Sequence, residues 1–398
     1  MEVHEKDVIS DVQTNNRLSL IILLILIGIV AGLFLFLYFN NPNMSTEGYN
    51  IKDFIENKLL ELGEKDGQKV INEIIGFENS AFITYKDQLV ECNSQAIKFI
   101  DKQGKTLWEY PTKINNPILK KSGSSLIIAD IGGKELYAVN GSYIDWEKEF
   151  SENIINVDVN SNGYVTVIKE AKGLKATLTL FDNSGNEIFT KGFSGIYILS
   201  AKVSPDNRTI AVNCVNTSGV SVISSIEFLD IFGETKAGAV SDVNQVYSAI
   251  YFIDRNHVLA SGDTGAACYK TDGSLIWGNN FGGRKVYSAN ILEGGYTAVA
   301  ASGDNTLGSL LKKRPEVIIL NSKGEVFAKH NIEKEILNIN AYSDIIAVNS
   351  GRMVSFVNRK GKLLSTYSSK SDIKSVYFFS RLEAALVTKQ GVSIIKTY

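Results

Sequence analysis

Two hydrophobic patterns divide the chain. Residues Leu20 to Phe39 carry no charged or strongly polar side chain, and sixteen of them are Leu, Ile, Val or Phe. A helix rising 1.5 Å per residue covers about 30 Å over such a stretch, the thickness of a bilayer's hydrocarbon core. The pattern therefore predicts a transmembrane helix over 18–39. After residue 78 the pattern changes to alternation with period two, in runs of about six to eight residues separated by Gly, Asn, Asp and Ser. That is the signature of half-buried strands, and no long helical period interrupts it. The class expected for the main body is all-β.

Between the two lies a polar spacer, 40–68, in which Ile51, Ile55, Leu59 and Leu62 share one face of a short helix that stops at Gly63. Such a helix lies against the membrane or against the β domain, and the pattern fits both. A cleaved signal peptide would have a shorter apolar core followed by small residues; here Leu37-Tyr38-Phe39-Asn40-Asn41-Pro42 follows, which favours an uncleaved anchor. Lys6 and Arg17 precede the helix, and Lys52 alone follows it within about 15 residues. The expected topology is a cytoplasmic tail, 1–17, and an extracytoplasmic domain, 69–398, at the cell membrane. Gly28 and Gly32 have the spacing of a close helix–helix contact, although glycine is common in spans.

A turn recurs through the β region: an apolar run, Asp or Asn, two residues, Gly, then a second run. It occurs at Asp101–Gly104, Asp182–Gly185, Asp230–Gly233, Asn321–Gly324 and Asn358–Gly361, with looser copies at Asn140-Gly141 and Asp272-Gly273. The Asx side chain caps such a turn and Gly supplies the positive φ that closes it. The glycines fall 37 to 51 residues apart, the period of a four-stranded propeller blade. Labelling the strands of a blade A to D, the turn joins C to D. Seven such turns are followed by three strands at 371–379, 383–389 and 392–398, leaving a D strand unsupplied. Residues 69–77 are suited to supply it, closing an eight-bladed ring, with seven blades as the alternative.

Residues 99–108, Cys268 to Trp277 and the run Leu136 to Asn140 resemble the blade-ending segment of the pyrroloquinoline-quinone-type repeat β-propellers. The resemblance covers about residues 78–398. The chain is also similar to single-span, membrane-anchored propeller proteins of clostridia. The resemblance implies the fold. Quinoprotein dehydrogenases of that family carry adjacent cysteines and a calcium-bound cofactor; no cysteine pair is present here, so no cofactor is expected.

Other chemistry narrows the field. Net charge is −2, from 41 basic and 43 acidic residues interspersed, so no nucleic-acid partner is expected. Cys92, Cys214 and Cys268 lie far apart in apolar runs and read as buried thiols. Asp158-Val159-Asn160-Ser161-Asn162-Gly163 matches the first half of a calcium loop, but Lys169 stands where the bidentate Glu belongs, so an A–B hairpin is the better reading and no metal is expected. Asp263-Thr264-Gly265 has no second copy to form a carboxylate dyad. His4, His257 and His330 supply neither a zinc site nor a catalytic triad, and Trp108, Trp146 and Trp277 read as packing between blades. No catalytic residue is assigned.

The expected function is a non-catalytic binding or scaffold module of the cell envelope. The alternative is a propeller enzyme, glycan-acting or oxidoreductase, whose site is built from single residues on several blades. A sensor is a third reading, but the short tail leaves no room for an output domain. Three B–C connections exceed what joining two strands needs: 171–175, 216–220 and above all 304–315. The last places Lys312, Lys313 and Arg314 beside apolar residues, either as a solvated insertion or as a contact for an envelope protein, an anionic polymer or a lipid headgroup.

Overall fold

The structure, a computed structural model, describes residues 70–76, 80–141, 143–240, 245–303 and 314–398. The expected transmembrane helix with Gly28 and Gly32, the spacer helix, Lys312 and Lys313 lie outside the described residues. Among the described residues, no helix is long and apolar enough to cross a membrane.

These residues form eight four-stranded antiparallel sheets, the blades of a propeller. Blades 1 to 7 are contiguous meanders over 81–111, 117–149, 154–193, 197–240, 247–279, 286–331 and 338–368. Blade 8 takes strands A to C from Ile373–Phe378, Glu383–Thr388 and Gly391–Lys396, and strand D from Val70–Ile75. The closing strand runs antiparallel to strand C in the register Ile75↔Gly391 to Val70↔Ile395, with an irregularity between Val70 and Asn72. Eight blades and closure by the first strand are what the turn spacing predicts; the seven-bladed alternative falls.

The core is a ring of eight apolar clusters, each spanning two neighbouring blades. Blades 1 and 2, for instance, share Val90, Ile97 and Phe99 with Leu126, Ile128 and Val139, and blades 8 and 1 share Ile74, Val392 and Ile394 with Phe82, Leu89 and Ile100. Half-burial, expected for every strand, holds only for strands A and D. Strands B and C are packed on both faces, so Ser125–Asp130 and Glu316–Leu320 are almost wholly buried. Strand D, the outer edge, keeps the alternation, as in Thr106–Pro111.

The recurring turn does two jobs. Asp101 Oδ1 accepts from the backbone N–H of Gln103 at 3.0 Å and Lys105 at 2.8 Å, and the same pair of bonds recurs at Asp182, Asp230, Asn321 and Asn358. In the looser copy Lys270 occupies the Asx place, and Asp272 caps Ser274 instead. The turn glycine also lies against strand D of the preceding blade. A Cβ at Gly185 would meet Trp146 at 2.7 Å, one at Gly233 would meet Phe189 at 2.7 Å, and one at Gly324 would meet Trp277 at 2.5 Å. Trp146 Nε1 donates to Asn183 O at 3.1 Å, Lys191 Nζ to Gly233 O at 2.8 Å, and Asn72 Nδ2 of the closing strand to Lys102 O at 3.0 Å. Trp146 and Trp277 thus pack between blades as expected, and Trp108 packs in the cluster shared by blades 1 and 2.

All three cysteines are free and buried. Burial pushes the Cys92 and Cys268 thiols up to about 12 and raises that of Cys214 as well. The reactive thiolate is scarce wherever pH lies well below these values. At pH 8 the folded protein is expected to react with a thiol reagent only as fast as it opens; rapid stoichiometric labelling would contradict this burial.

A second test addresses closure. Gly391 has φ +144°, and a Cβ there would lie 2.0 Å from Ile74 O of the closing strand. Gly391→Val is therefore expected to cost about 3 kcal/mol or more, read as a lowered melting temperature. An unchanged transition would show that the closing strand does not bind there.

Candidate functional site

The longest B–C connection leaves blade 6 between Tyr296–Ala301 and Glu316–Leu320, and both its ends are held by one side chain. Arg284 lies in the segment that leads from blade 5 into blade 6. Its Nε donates to Ser302 O at 2.6 Å and its Nη2 to Arg314 O at 3.3 Å, while Nη1 pairs with Glu316 Oε1. Both members of this ion pair are buried. Lys329 of strand D stands 3.7 Å from the same carboxylate. The guanidinium therefore joins the two stems to each other and to strand C, so the connection departs from a fixed base. Beside it opens a cleft of about 600 Å³ lined by Phe281, Arg284, Arg314, Glu316, Val326 and Lys329. Arg314 is exposed at this cleft, the lining carries three cations and one carboxylate, and Lys312 and Lys313 precede Arg314 in the sequence. Arg284 is absent from the residues that sequence alone singles out. It precedes Ser302 by 18 positions and Glu316 by 32, so no local motif marks it.

The A strands form a second polar region. Neighbouring A strands approach one another around the ring. Lys121 of blade 2 donates to Thr84 Oγ1 of blade 1 at 2.7 Å, and its Nζ lies 3.5 Å from Phe378 O of blade 8. Lys202 of blade 4 pairs with Asp158 of blade 3 at 2.5 Å and lies 5.6 Å from the centre of the Tyr251 ring of blade 5. Lys121 is open to water yet walled in by three blades. That enclosure disfavours the ammonium and lowers its pKa to about 8, with the water moderating the effect. Burial lowers Lys120 too, and Asp158 opposes that shift.

The half-match to a calcium loop resolves into a turn. The Asp158 carboxylate faces Lys202, and Asn160 Oδ1 accepts from Asn162 N and Tyr164 N, each at 3.0 Å. Asp263-Thr264-Gly265 is the tight B–C turn of blade 5, closed by Gly262 N donating to Gly265 O at 2.9 Å. His257 Nδ1 lies 2.7 Å from Asp254 Oδ2, and His330 Nδ1 donates to Gly361 O at 3.0 Å. The two histidines serve different blades. Among the described residues, no group of three His, Cys, Asp or Glu side chains is placed to hold a metal.

An eight-bladed all-β propeller with a fixed-base loop and cationic clefts defines the class. The chain belongs to the family of unknown function DUF5711, whose pattern matches residues 64–397. No curated protein matches it. Among solved structures, it is similar to BamB from Moraxella catarrhalis at 14% identity, with a TM-score of 0.55, over 83% of this chain and 99% of that one. It is similar also to Sqt1 from Chaetomium thermophilum bound to the N-terminus of the ribosomal protein L10, at 9% identity, with a TM-score of 0.60, over 83% of this chain and 100% of that one. At such identities the likeness is one of fold, and the fold is the propeller.

The base of the blade 6 connection can be tested by stability. Arg284→Met leaves Glu316 buried against one partly exposed lysine and is expected to cost about 3–5 kcal/mol. Arg284→Met with Glu316→Leu is expected to recover most of that loss, because no uncompensated charge remains. Equal destabilisation by the single and the double variant in denaturant melts would show that the pair is not the base of the loop.

Proposed function

We propose that this chain is a membrane-tethered, extracytoplasmic propeller that acts as a non-catalytic docking module of the cell envelope, with the blade 6 connection as its contact for an anionic partner. The observation that carries the reading is the Arg284 base: a long loop bearing cations is set on a buried ion pair that holds both of its ends. Loops beyond connecting length that are positioned by a rigid scaffold are where binding residues concentrate. The exposed Arg314 and the neighbouring Lys312 and Lys313 offer charge-assisted hydrogen bonds to phosphate or carboxylate groups, and such contacts weaken with salt.

Two further points support the reading. The apolar run Leu20 to Phe39 has the length and composition of a membrane anchor, and the cations before it favour a cytoplasmic N-terminus. The propeller in the Sqt1 structure is bound to a segment of another protein, a use of the fold that docking here would share. Function, however, resides in the site and not in the fold, so the loop is where the proposal is tested.

In the 45–398 fragment, Lys312→Ser, Lys313→Ser and Arg314→Ser together are expected to reduce binding to purified anionic cell-wall polymer and to vesicles rich in phosphatidylglycerol. Each cation removed should cost about 1 kcal/mol near a charged surface, and the salt dependence should flatten. Unchanged affinity and unchanged salt dependence would remove the loop as the contact, and turnover of a glycan or redox dye by the fragment would favour the enzyme reading. For the anchor, the full chain is expected to stay in the membrane pellet after alkaline extraction and the fragment to be released.

A further inference from the structure

The eight A strands carry four lysines, Lys120, Lys121, Lys202 and Lys374, and one acidic residue, Asp158. This excess of +3 belongs to the inner strands of a chain whose net charge is −2. The distribution is uneven along the strands. The penultimate A-strand residues are Thr84, Lys121, Asp158, Lys202, Tyr251, Ile291, Ala341 and Tyr377, one per blade at the end where A turns into B. Polar and charged groups occupy blades 1 to 5 of this level, with Lys120 adjacent on blade 2, and Ile291 and Ala341 occupy blades 6 and 7. Lys374, second in its strand, stands near the opposite end.

Within that arc the charges do not balance. Asp158 is committed to Lys202 at 2.5 Å. Among the described residues, the Lys121 ammonium meets only neutral oxygens, Thr84 Oγ1 and Phe378 O. The Lys120 side chain has no ion pair or hydrogen bond among the described residues, although it feels the field of both Asp158 and Lys202. Lys121 is exposed and Lys120 half-buried, and two ammonium groups short of counter-charge at one end of a strand attract an anion. Low-dielectric walls strengthen that attraction.

We propose that the A–B end of the central channel binds a compact oxyanion carrying at least two negative charges, held by Lys120 and Lys121 and bordered by Lys202. Asp158 weakens this binding by competing for Lys202. The inference is independent of the blade 6 contact, which lies on the B–C side of the ring.

The test uses the full chain in detergent and isothermal titration calorimetry with sodium pyrophosphate at low ionic strength. One saturable site per chain is expected. Lys120→Ser with Lys121→Ser should weaken it about tenfold or more, and Asp158→Asn should tighten it several-fold. Lys312→Ser, Lys313→Ser and Arg314→Ser together should leave it unchanged. Acetate at matched ionic strength should show no saturable binding. Saturable binding of citrate and not pyrophosphate would assign a polycarboxylate ligand within the same class. No binding of either, retained affinity in the Lys120 and Lys121 variant, or loss in the loop variant would overturn the proposal. If the double variant does not fold, Lys120→Ser alone together with Asp158→Asn decides, because their opposite effects on affinity do not arise from misfolding.

Discussion

The pairing of Val70–Ile75 with Gly391–Lys396 joins strands roughly 300 residues apart in sequence, and the other blades depend on it. Because strands B and C are apolar on both faces, a blade is stable only with a neighbour on each side. An open ring would expose the cluster of Ile74, Phe82, Leu89, Ile100, Phe379, Val387, Val392 and Ile394. At about 1.5–3 kcal/mol per large side chain, that exposure amounts to a gross of about 12–24 kcal/mol, an upper bound because unfolded chains already bury some apolar surface. A whole domain is stable by about 5–15 kcal/mol. Opening the ring is therefore energetically close to unfolding it, and closure is part of folding instead of a step after it.

The C–D turns extend the same constraint around the ring. Their glycines adopt positive φ and also receive strand D of the preceding blade, as Gly185 receives Trp146 and Gly324 receives Trp277. Any larger residue would be penalised by backbone strain and by displacement of an aromatic ring. The closing strand uses the same contact: Ile74 and Asn72 lie beside Gly104, and Asn72 donates to Lys102 O. One local device thus fixes both the hairpin within a blade and the docking of its neighbour.

This double duty explains why so much of the fold is legible in the sequence. Asx and Gly at fixed offsets mark each C–D turn, their spacing counts the blades, and the missing eighth D strand points to 69–77. Burial was less legible. Period two signals one wet face, yet the B and C strands are dry on both, and the short runs Leu126 to Ala129 and Ile345 to Val348 do not by themselves say so. The sites were least legible. Arg314 was marked by its neighbours Lys312 and Lys313, but the Arg284 that fixes the loop sits in another segment. Lys120, Lys121 and Lys202 occupy positions that alternation reads as ordinary polar sites. Only the ring brings the A strands of blades 8 and 1 to 5 together around them.

A nearly neutral chain cannot draw a partner from afar by its net charge, so recognition must rest on local imbalance. Among the described residues, two such places lie on opposite sides of the ring: the cleft beside Arg314 on the B–C side, and the Lys120 and Lys121 pair on the A–B side. Between them stand B strands buried on both faces and held to their neighbours by shared clusters and turn glycines. Coupling two sites needs an element with two alternative packings, and close-packed blades of this kind provide one arrangement. The same rigidity that fixes the base of the blade 6 loop therefore argues that the two proposed sites would fill independently, an anion at the Lys120 and Lys121 end leaving affinity at the loop unaltered.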